Sequence, residues 1–214
     1  MENKRGRGGE DKAAEGGKRV KKGLPDGEKH RCFPNKPGNP LYERYHDEEW
    51  GVPVHDDQLH FEMLILEGAQ AGLSWETVLK KREGYREAFK GFDPVLVAAM
   101  TDEELEAQVS NAGIVRHRGK IFSTRLNAQA FLEIQTEFGS FDSYVWRFVD
   151  GKPKLNDWSD MAQMPAKTKE SEALSKDLKK RGMKFVGPTI VYAYMQAVGL
   201  VNDHVQKCWC YQRR

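Results

Sequence analysis

Apolar positions along this chain recur at helical spacing, and no run shows the alternation of a half-buried strand. Leu59, Met63 and Leu66 lie three to four residues apart and predict a helix from about residue 58 to 70. A longer pattern predicts a helix over 118–138 that ends at a glycine. Because start and stop signals of this kind continue to the C-terminus, the predicted fold class is all-α.

The last third of the chain predicts two helices joined by a tight hairpin. The first covers about 169–181, and the second begins at Pro188, directly after Gly187. Such a start leaves backbone N–H groups without partners at the positive end of the helix dipole, which suits a phosphate group. An ordinary helix–helix turn gives the same pattern, so both interpretations stay open at this point.

One carboxylate falls inside an apolar run. Glu67 follows Met63 and Leu64 by one turn of the predicted helix and faces its apolar side, whereas we expect Glu62 to point to solvent. Because burial of an unpaired charge is costly, Glu67 needs either a structural partner or a ligand in an apolar pocket. Composition alone favours the structural partner. A ligand would need aromatic walls, and four aromatic residues lie near Glu67 in the sequence: Tyr42, Tyr45, Trp50 and Trp75.

Length and charge indicate one folded domain with an N-terminal tail in a chain of 214 residues and net charge +2. Residues 1–30 hold seven glycines, many charges and few apolar side chains, and we predict a disordered basic tail there, with a domain over 31–214. The basic run at 18–22 fits a nuclear-import signal, a non-specific nucleic-acid segment or a solubilising leader. Outside the tail the net charge is close to zero, so nucleic-acid affinity must come from local patches such as 116–120 and 179–184.

No stretch approaches the roughly 20 apolar residues of a membrane span, and the N-terminus has no secretory signal. We therefore expect no membrane association and an intracellular protein, in the cytoplasm and nucleoid or, in a eukaryote, the nucleus.

Cysteine and histidine residues occur at both ends of the predicted domain. Three cysteines give no disulfide framework. Two cysteines and two histidines could complete a tetrahedral zinc site without an open position, which would make the metal structural. These four are Cys32, His46, His204 and Cys208, and Cys210 is a competing ligand. His-x-x-x-Cys alone is a weak signal, because six histidines and three cysteines give such spacings by chance.

Several motifs occur in one order over about residues 31–211: YHDEEWGVP at 45–53, LEGAQAGLSW at 66–75, AGIVRHRGKI at 112–121, KFVGPT at 184–189 and LVNDHV at 200–205. Together they closely resemble the DNA-3-methyladenine glycosylase I family. The resemblance implies a helix-hairpin-helix glycosylase fold whose N- and C-terminal segments are joined by structural Zn²⁺ at Cys32, His46, His204 and Cys208. It also implies a monomer that flips 3-methyladenine out of alkylated double-stranded DNA and hydrolyses its N-glycosidic bond.

The same resemblance gives roles to the residues around Glu67. Glu67 is implied to contact the extruded base, Tyr45 and Trp75 to pack on its ring, and Tyr42 and Trp50 to line the pocket. Stacking of this kind is worth roughly 1–3 kcal/mol per base. Because an N3-methylated adenine is cationic and leaves readily, we expect no strong general base.

The DNA contacts are implied in the same way. Leu73 is predicted to wedge into the stack left by the flipped base, and the hairpin is predicted to bind DNA through Val186, Gly187 and Thr189. Related bifunctional glycosylases carry a Schiff-base lysine where this chain has Thr189, so the resemblance implies hydrolysis without lyase activity. The superfamily's catalytic aspartate falls at Asn202 or Asp203, and both registers stay open.

One departure from the family favours a second hypothesis. Cys32 is followed by Phe33-Pro34, where the family typically has a small residue and then a pocket-closing tryptophan. Phe33 could supply an aromatic face instead. The alternative function is a catalytically inactive module of the same fold that binds damaged DNA, for which the basic tail is a further argument.

Overall fold

The computed structural model describes residues 29–33 and 38–211 of the chain. Within these residues the helices are α1 (Pro40–Glu48), α2 (Asp57–Gln70), α3 (Trp75–Leu79), α4 (Arg82–Ala88), α5 (Pro94–Ala98), α6 (Asp102–Val109), α7 (Arg118–Phe138), α8 (Phe141–Trp146), α9 (Lys169–Lys180) and α10 (Pro188–Ala197). Short 3-10 turns cover Lys90–Phe92, Arg147–Val149 and Met161–Gln163. The predicted all-α class is confirmed. Most of the predicted tail lies outside the described residues.

Two short strands lie among the helices. β1 (Lys154–Leu155) pairs in parallel with β2 (Val201–Asn202), with Lys154 opposite Val201. This pairing holds the loop after α8 against the segment after α10. No described helix has both the length and the apolar character needed to cross a membrane.

Helix α2 lies at the centre of the fold. The Asp56 side chain caps its first turn by accepting a hydrogen bond from the Leu59 amide at 2.7 Å. From His60 to Ala69 every residue of α2 is buried, and α3, α7, α8 and α10 pack around it. A helix that is mainly apolar on all sides belongs in such a position. The polar side chains of α2 must therefore find partners inside the protein or remain without them.

The prediction that Glu62 points to solvent is wrong. Its side chain is buried, and its carboxylate accepts hydrogen bonds from Arg82 Nε and from Arg86 Nη2, the latter at 2.8 Å. Both arginines come from α4, which the one-dimensional pattern of α2 does not reveal. A buried carboxylate held by two guanidinium groups is a structural ion pair.

The helices on which the site depends were predicted closely. Helix α7 spans the predicted 118–138 and ends at Gly139, which has φ +84° and so adopts the left-handed conformation that glycine tolerates. Helices α9 and α10 flank the predicted hairpin, and α10 begins at Pro188 as expected.

Candidate functional site

The carboxylate of Glu67 is buried near the end of α2. Glu67 is only 4 % exposed, and its Oε2 has no hydrogen-bond partner among the described residues. Burial raises the pKa of this carboxyl to about 8. The structural partner expected for Glu67 is therefore not present at Oε2 among the described residues, in contrast to Glu62.

Two tyrosines feel the charge of this carboxylate, and Trp75 packs against one of them. Tyr45 and Trp75 are buried, with ring centroids 5.2 Å apart, and Tyr42 lies 6.4 Å from Tyr45. Burial and then the charge of Glu67 raise the pKa of Tyr42 to about 12 and that of Tyr45 well above its usual range. The charge of Glu67 therefore acts on both hydroxyl groups.

Trp75 adds an unpaired donor to this pocket. Its indole Nε1 is buried and has no hydrogen-bond partner among the described residues. This part of the fold thus holds a buried acceptor at Glu67 and a buried donor at Trp75, with Tyr45 packed on Trp75. Such a set suits a flat heteroaromatic ligand that can both donate and accept hydrogen bonds.

Trp50 connects the pocket to the cysteine and histidine residues. It is buried, and its ring centroid lies 5.1 Å from that of Phe33 and 4.7 Å from that of His204. Phe33 also meets Tyr42 edge to face at 5.4 Å. Phe33 therefore provides an aromatic face beside the predicted pocket residues.

Cys32, His46, His204 and Cys208 form one buried cluster, which joins α1 and the segment before it to the segment after β2. Three sulfur–nitrogen distances lie between 3.3 and 3.5 Å: Cys32 Sγ to His204 Nδ1, Cys208 Sγ to His204 Nδ1, and Cys208 Sγ to His46 Nε2. Zinc–sulfur and zinc–nitrogen bonds of ordinary length at the tetrahedral angle put these atoms about 3.6 Å apart. The donor set and its spacing fit a tetrahedral metal ion.

Neighbouring groups orient both histidine rings. His46 Nδ1 lies 2.8 Å from Asp47 Oδ1, and His204 Nε2 lies 3.0 Å from the carbonyl of Trp50. If these nitrogens donate to their oxygen neighbours, the other nitrogen of each ring presents its lone pair to the thiols, as a metal ligand must. Cys210 is also buried, within 4.8 Å of His46 and Asp47, so it stays a competing ligand.

The segments predicted to bind DNA lie at two turns. Leu73 is 42 % exposed in the turn after α2, where Gly72 has φ +80°. In the hairpin the Val186 side chain is buried and its carbonyl accepts a hydrogen bond from Ser175 Oγ at 2.6 Å, so of its polar groups only the amide is left for a ligand. Gly187 precedes α10 without a side-chain cap, and Thr189 is exposed.

Comparison with known proteins identifies the family. Residues 35–211 match the family model described as methyladenine glycosylase. The chain belongs to the methyladenine glycosylase family.

Relatives and solved structures agree with this assignment. DNA-3-methyladenine glycosylase 1 of Escherichia coli (strain K12) is 56 % identical over 173 residues, which cover 81 % of this chain and 92 % of that protein. The Haemophilus influenzae protein named DNA-3-methyladenine glycosylase is 51 % identical over 170 residues, or 79 % of this chain and 92 % of its own length. A crystal structure of 3-methyladenine DNA glycosylase I superposes with a TM-score of 0.82 at 52 % identity and covers 85 % of this chain and all of its own. The Staphylococcus aureus enzyme, solved to show the structural basis of 3-methyladenine recognition, gives 0.83 at 38 % identity, with 86 % and 97 % covered.

In this methyladenine glycosylase, the Asp203 carboxylate holds neighbouring side chains in place. Its carboxylate is buried and accepts hydrogen bonds at 2.5 to 2.7 Å from four side chains: Asn156, Trp158, Tyr192 and Gln196. The Asn202 side chain accepts from the amide of His204 at 3.1 Å. A carboxylate whose oxygens already hold four donors is a poor general base. These contacts favour the expectation that this site works without a strong base.

Two further residues near the site were not singled out in the sequence. Lys120 of α7 contacts the turn that carries Leu73, and Asn127 of the same helix contacts the hairpin. In the sequence Lys120 stands out only as part of a basic patch, and nothing in the local pattern marks a lysine or asparagine as a partner of distant backbone groups.

Proposed function

We propose that this chain is a DNA-3-methyladenine glycosylase, which hydrolyses the N-glycosidic bond of 3-methyladenine in alkylated double-stranded DNA. The observation that carries the proposal is the buried, unpartnered Oε2 of Glu67 beside Tyr45 and Trp75. Membership of the methyladenine glycosylase family supports the reaction class, and the relatives' names support the substrate.

Recognition follows from the chemistry of the damaged base. The exocyclic amino group of the base would donate to Glu67, while Tyr45 and Trp75 pack on its ring and Tyr42 and Trp50 line the pocket. N3-methylated adenine in DNA is a cation, and a positive charge within about 4–6 Å favours the ionised form of a carboxyl. Neutral adenine does not offer this attraction. Glu67 would therefore select the damaged base by its charge as well as by its shape.

The buried position of Glu67 supports base flipping, because a base in the duplex stack cannot reach it. In this proposal Leu73 occupies the space that the base leaves, and the main chain at Val186, Gly187 and Thr189 holds the DNA backbone. Thr189 has no amine with which to form a Schiff base, which supports hydrolysis without lyase activity. A cationic leaving group lowers the demand on the protein, which need only bind the base and admit water.

A structural zinc ion belongs to the same proposal. Cys32, His46, His204 and Cys208 would hold it with no open coordination position, so it would take no part in the chemistry. It would fasten the two terminal segments of the domain together. It would also fix His204, on which Trp50 packs.

The test is release of free bases from methylated duplex DNA, resolved by mass spectrometry under single-turnover conditions. Wild type should release 3-methyladenine, and Glu67→Ala should release it at least about 100-fold more slowly. Glu137→Ala, which removes an exposed carboxylate from α7, is the matched control and should behave as wild type.

Three other outcomes would change the proposal. Equal release by wild type and Glu67→Ala would keep the enzyme and refute the role of Glu67. Tight binding of abasic duplex by wild type without any base release would favour the inactive DNA-binding module. Release of abasic-strand cleavage products along with the base would contradict hydrolysis without lyase activity.

A further inference from the structure

The turn that carries Leu73 is anchored by a lysine from another helix. Lys120 Nζ donates to the carbonyls of Ala69 at 2.9 Å and Ala71 at 2.7 Å, at the C-terminal end of α2. The last turn of α2 has no basic residue of its own. Lys120 therefore supplies both the donors and the positive charge that the end of this helix needs. Gly72 and Leu73 follow immediately, so their position depends on this contact.

The hairpin is anchored by the same helix. Asn127 donates from Nδ2 to the carbonyl of Lys184 at 3.0 Å and accepts at Oδ1 from the amide of Lys184 at 2.8 Å. One buried side chain thus holds both main-chain groups of one hairpin residue. The next residue, Phe185, has φ +55°, a conformation that is costly for a phenylalanine and that its surroundings must enforce.

The two anchors lie on one face of α7. Lys120 and Asn127 are seven residues apart, which is about two turns and roughly 10 Å along the helix. The Phe185 ring lies 6.0 Å from Lys120 Nζ. On the other side, a Cβ added at Gly68 would lie 3.3 Å from both Cβ and the carbonyl oxygen of Phe185. Since Gly68 adjoins Glu67, the hairpin packs directly against the part of α2 that holds the buried carboxylate.

From these contacts we propose that one face of α7 sets the distance between the Leu73 turn and the hairpin, with Lys120 and Asn127 as positioning residues for base excision. The proposal rests on the proposed function. A flipped base reaches Glu67 productively only when both segments engage the DNA in one register. A misplacement of about 1 Å between them can cost about 100-fold in rate.

The experiment compares four variants of the full chain with wild type. Lys120→Met keeps the aliphatic stem and removes the donors, whereas Lys120→Arg keeps a cation that can still reach carbonyls. Asn127→Asp retains the acceptor for the Lys184 amide and loses the donor to its carbonyl. Lys81→Met is the matched control, because Lys81 Nζ donates in the same way to the carbonyl of Ala112 at 2.6 Å, outside both anchored segments.

Three quantities separate positioning from other roles. They are single-turnover release of 3-methyladenine from methylated duplex, affinity for free 3-methyladenine followed by tryptophan fluorescence, and affinity for abasic duplex as a function of salt. For Lys120→Met and Asn127→Asp we expect release to fall about 10- to 100-fold, while affinity for the free base stays within about twofold of wild type. Affinity for abasic duplex should fall for both variants, because both anchored segments engage it, but the slope of that affinity against salt should not change for Lys120→Met. Lys120→Arg should recover part of the rate, and Lys81→Met should match wild type.

Several results would overturn the proposal. Wild-type release by Lys120→Met and Asn127→Asp would do so directly. A salt slope lowered by about one charge would instead assign Lys120 to a DNA phosphate. Parallel loss of free-base binding and release would indicate a general structural role. If wild type itself releases no base, the proposed function is wrong, and wild-type affinity of both variants for abasic duplex would then refute positioning independently.

Discussion

Replacing Glu67 by Gln should make the protein more stable, and the gain should grow with pH. Because burial raises the pKa of Glu67 to about 8, the folded chain keeps a proton that the unfolded chain releases above its ordinary pKa of 4.5. Between these two values the unfolded state binds fewer protons than the folded state. The free energy of unfolding of wild type therefore falls as pH rises through this window, whereas glutamine does not titrate.

The size of the effect follows from the same two values. Each unit of difference in pKa between folded and unfolded chains corresponds to about 1.4 kcal/mol. A rise from 4.5 to about 8 gives about 5 kcal/mol at pH 9 and, integrated over the window, about 3 kcal/mol at pH 7. For a domain of this size, 3 kcal/mol corresponds to roughly 6–12 °C in Tm.

The assay is urea and thermal unfolding of wild type and Glu67→Gln from pH 4.5 to pH 9, with zinc held constant. Any fixed difference between a protonated carboxyl and an amide cancels when the stability difference is followed against pH. The other titrating groups are common to both chains. Glu62→Gln is the matched control on α2. It should lower stability by about 3 kcal/mol, since it leaves Arg82 and Arg86 facing an uncharged group.

A stability difference between Glu67→Gln and wild type that stays flat from pH 4.5 to pH 9, or that shrinks as pH rises, would refute this reasoning. Either result would mean that the Glu67 carboxylate finds compensation in the folded protein. The function proposed for it as an unpartnered acceptor would then lose its physical basis.

Two further predictions concern other buried groups. Cys208→Ser should lower bound zinc from about one per chain and destabilise the domain by several kcal/mol, as measured by elemental analysis and thermal unfolding. A fully stable, metal-free wild type would contradict the proposed structural zinc site. His60 contacts Tyr194 and Asp142, and burial lowers its pKa, so the folded chain binds fewer protons than the unfolded chain below about pH 6.5. The free energy of unfolding of wild type should therefore decrease as pH is lowered below about 6.5, and its difference from that of His60→Gln should become smaller. A difference that does not change with pH would contradict this account.

Much of the fold could be predicted because its helices carry local signals. The apolar spacing and the glycine that ends the helix gave α7 its full extent, and Pro188 gave the start of α10. The region between α2 and α5, by contrast, breaks into α3, α4 and a 3-10 turn, with Lys90 and Phe92 at positive φ. Tertiary packing decided these breaks, and a one-dimensional pattern does not contain it.

The residues of the candidate site could likewise be predicted only where the local sequence carries a signal. A carboxylate inside an apolar run singles out Glu67, and in the structure its charge acts on Tyr42 and Tyr45, against which Trp75 packs. The run could not reveal that Glu62, five residues earlier, is buried as well, because its arginine partners come from another helix. For the same reason the backbone contacts of Lys120 and Asn127 had no sequence signal.

Buried carboxylates in this protein differ in their partners, and that difference assigns their roles. Asp203 holds four donors and Glu62 holds two guanidinium groups, so each is satisfied by the protein itself and stabilises packing. Glu67 alone among these three has a buried oxygen without a described partner, and its raised pKa reflects that cost. Stability is lost at this position whenever no ligand is bound. Such a cost persists at a position where a ligand compensates for it, and a cationic base that also offers an amino group compensates for both the charge and the missing hydrogen bond.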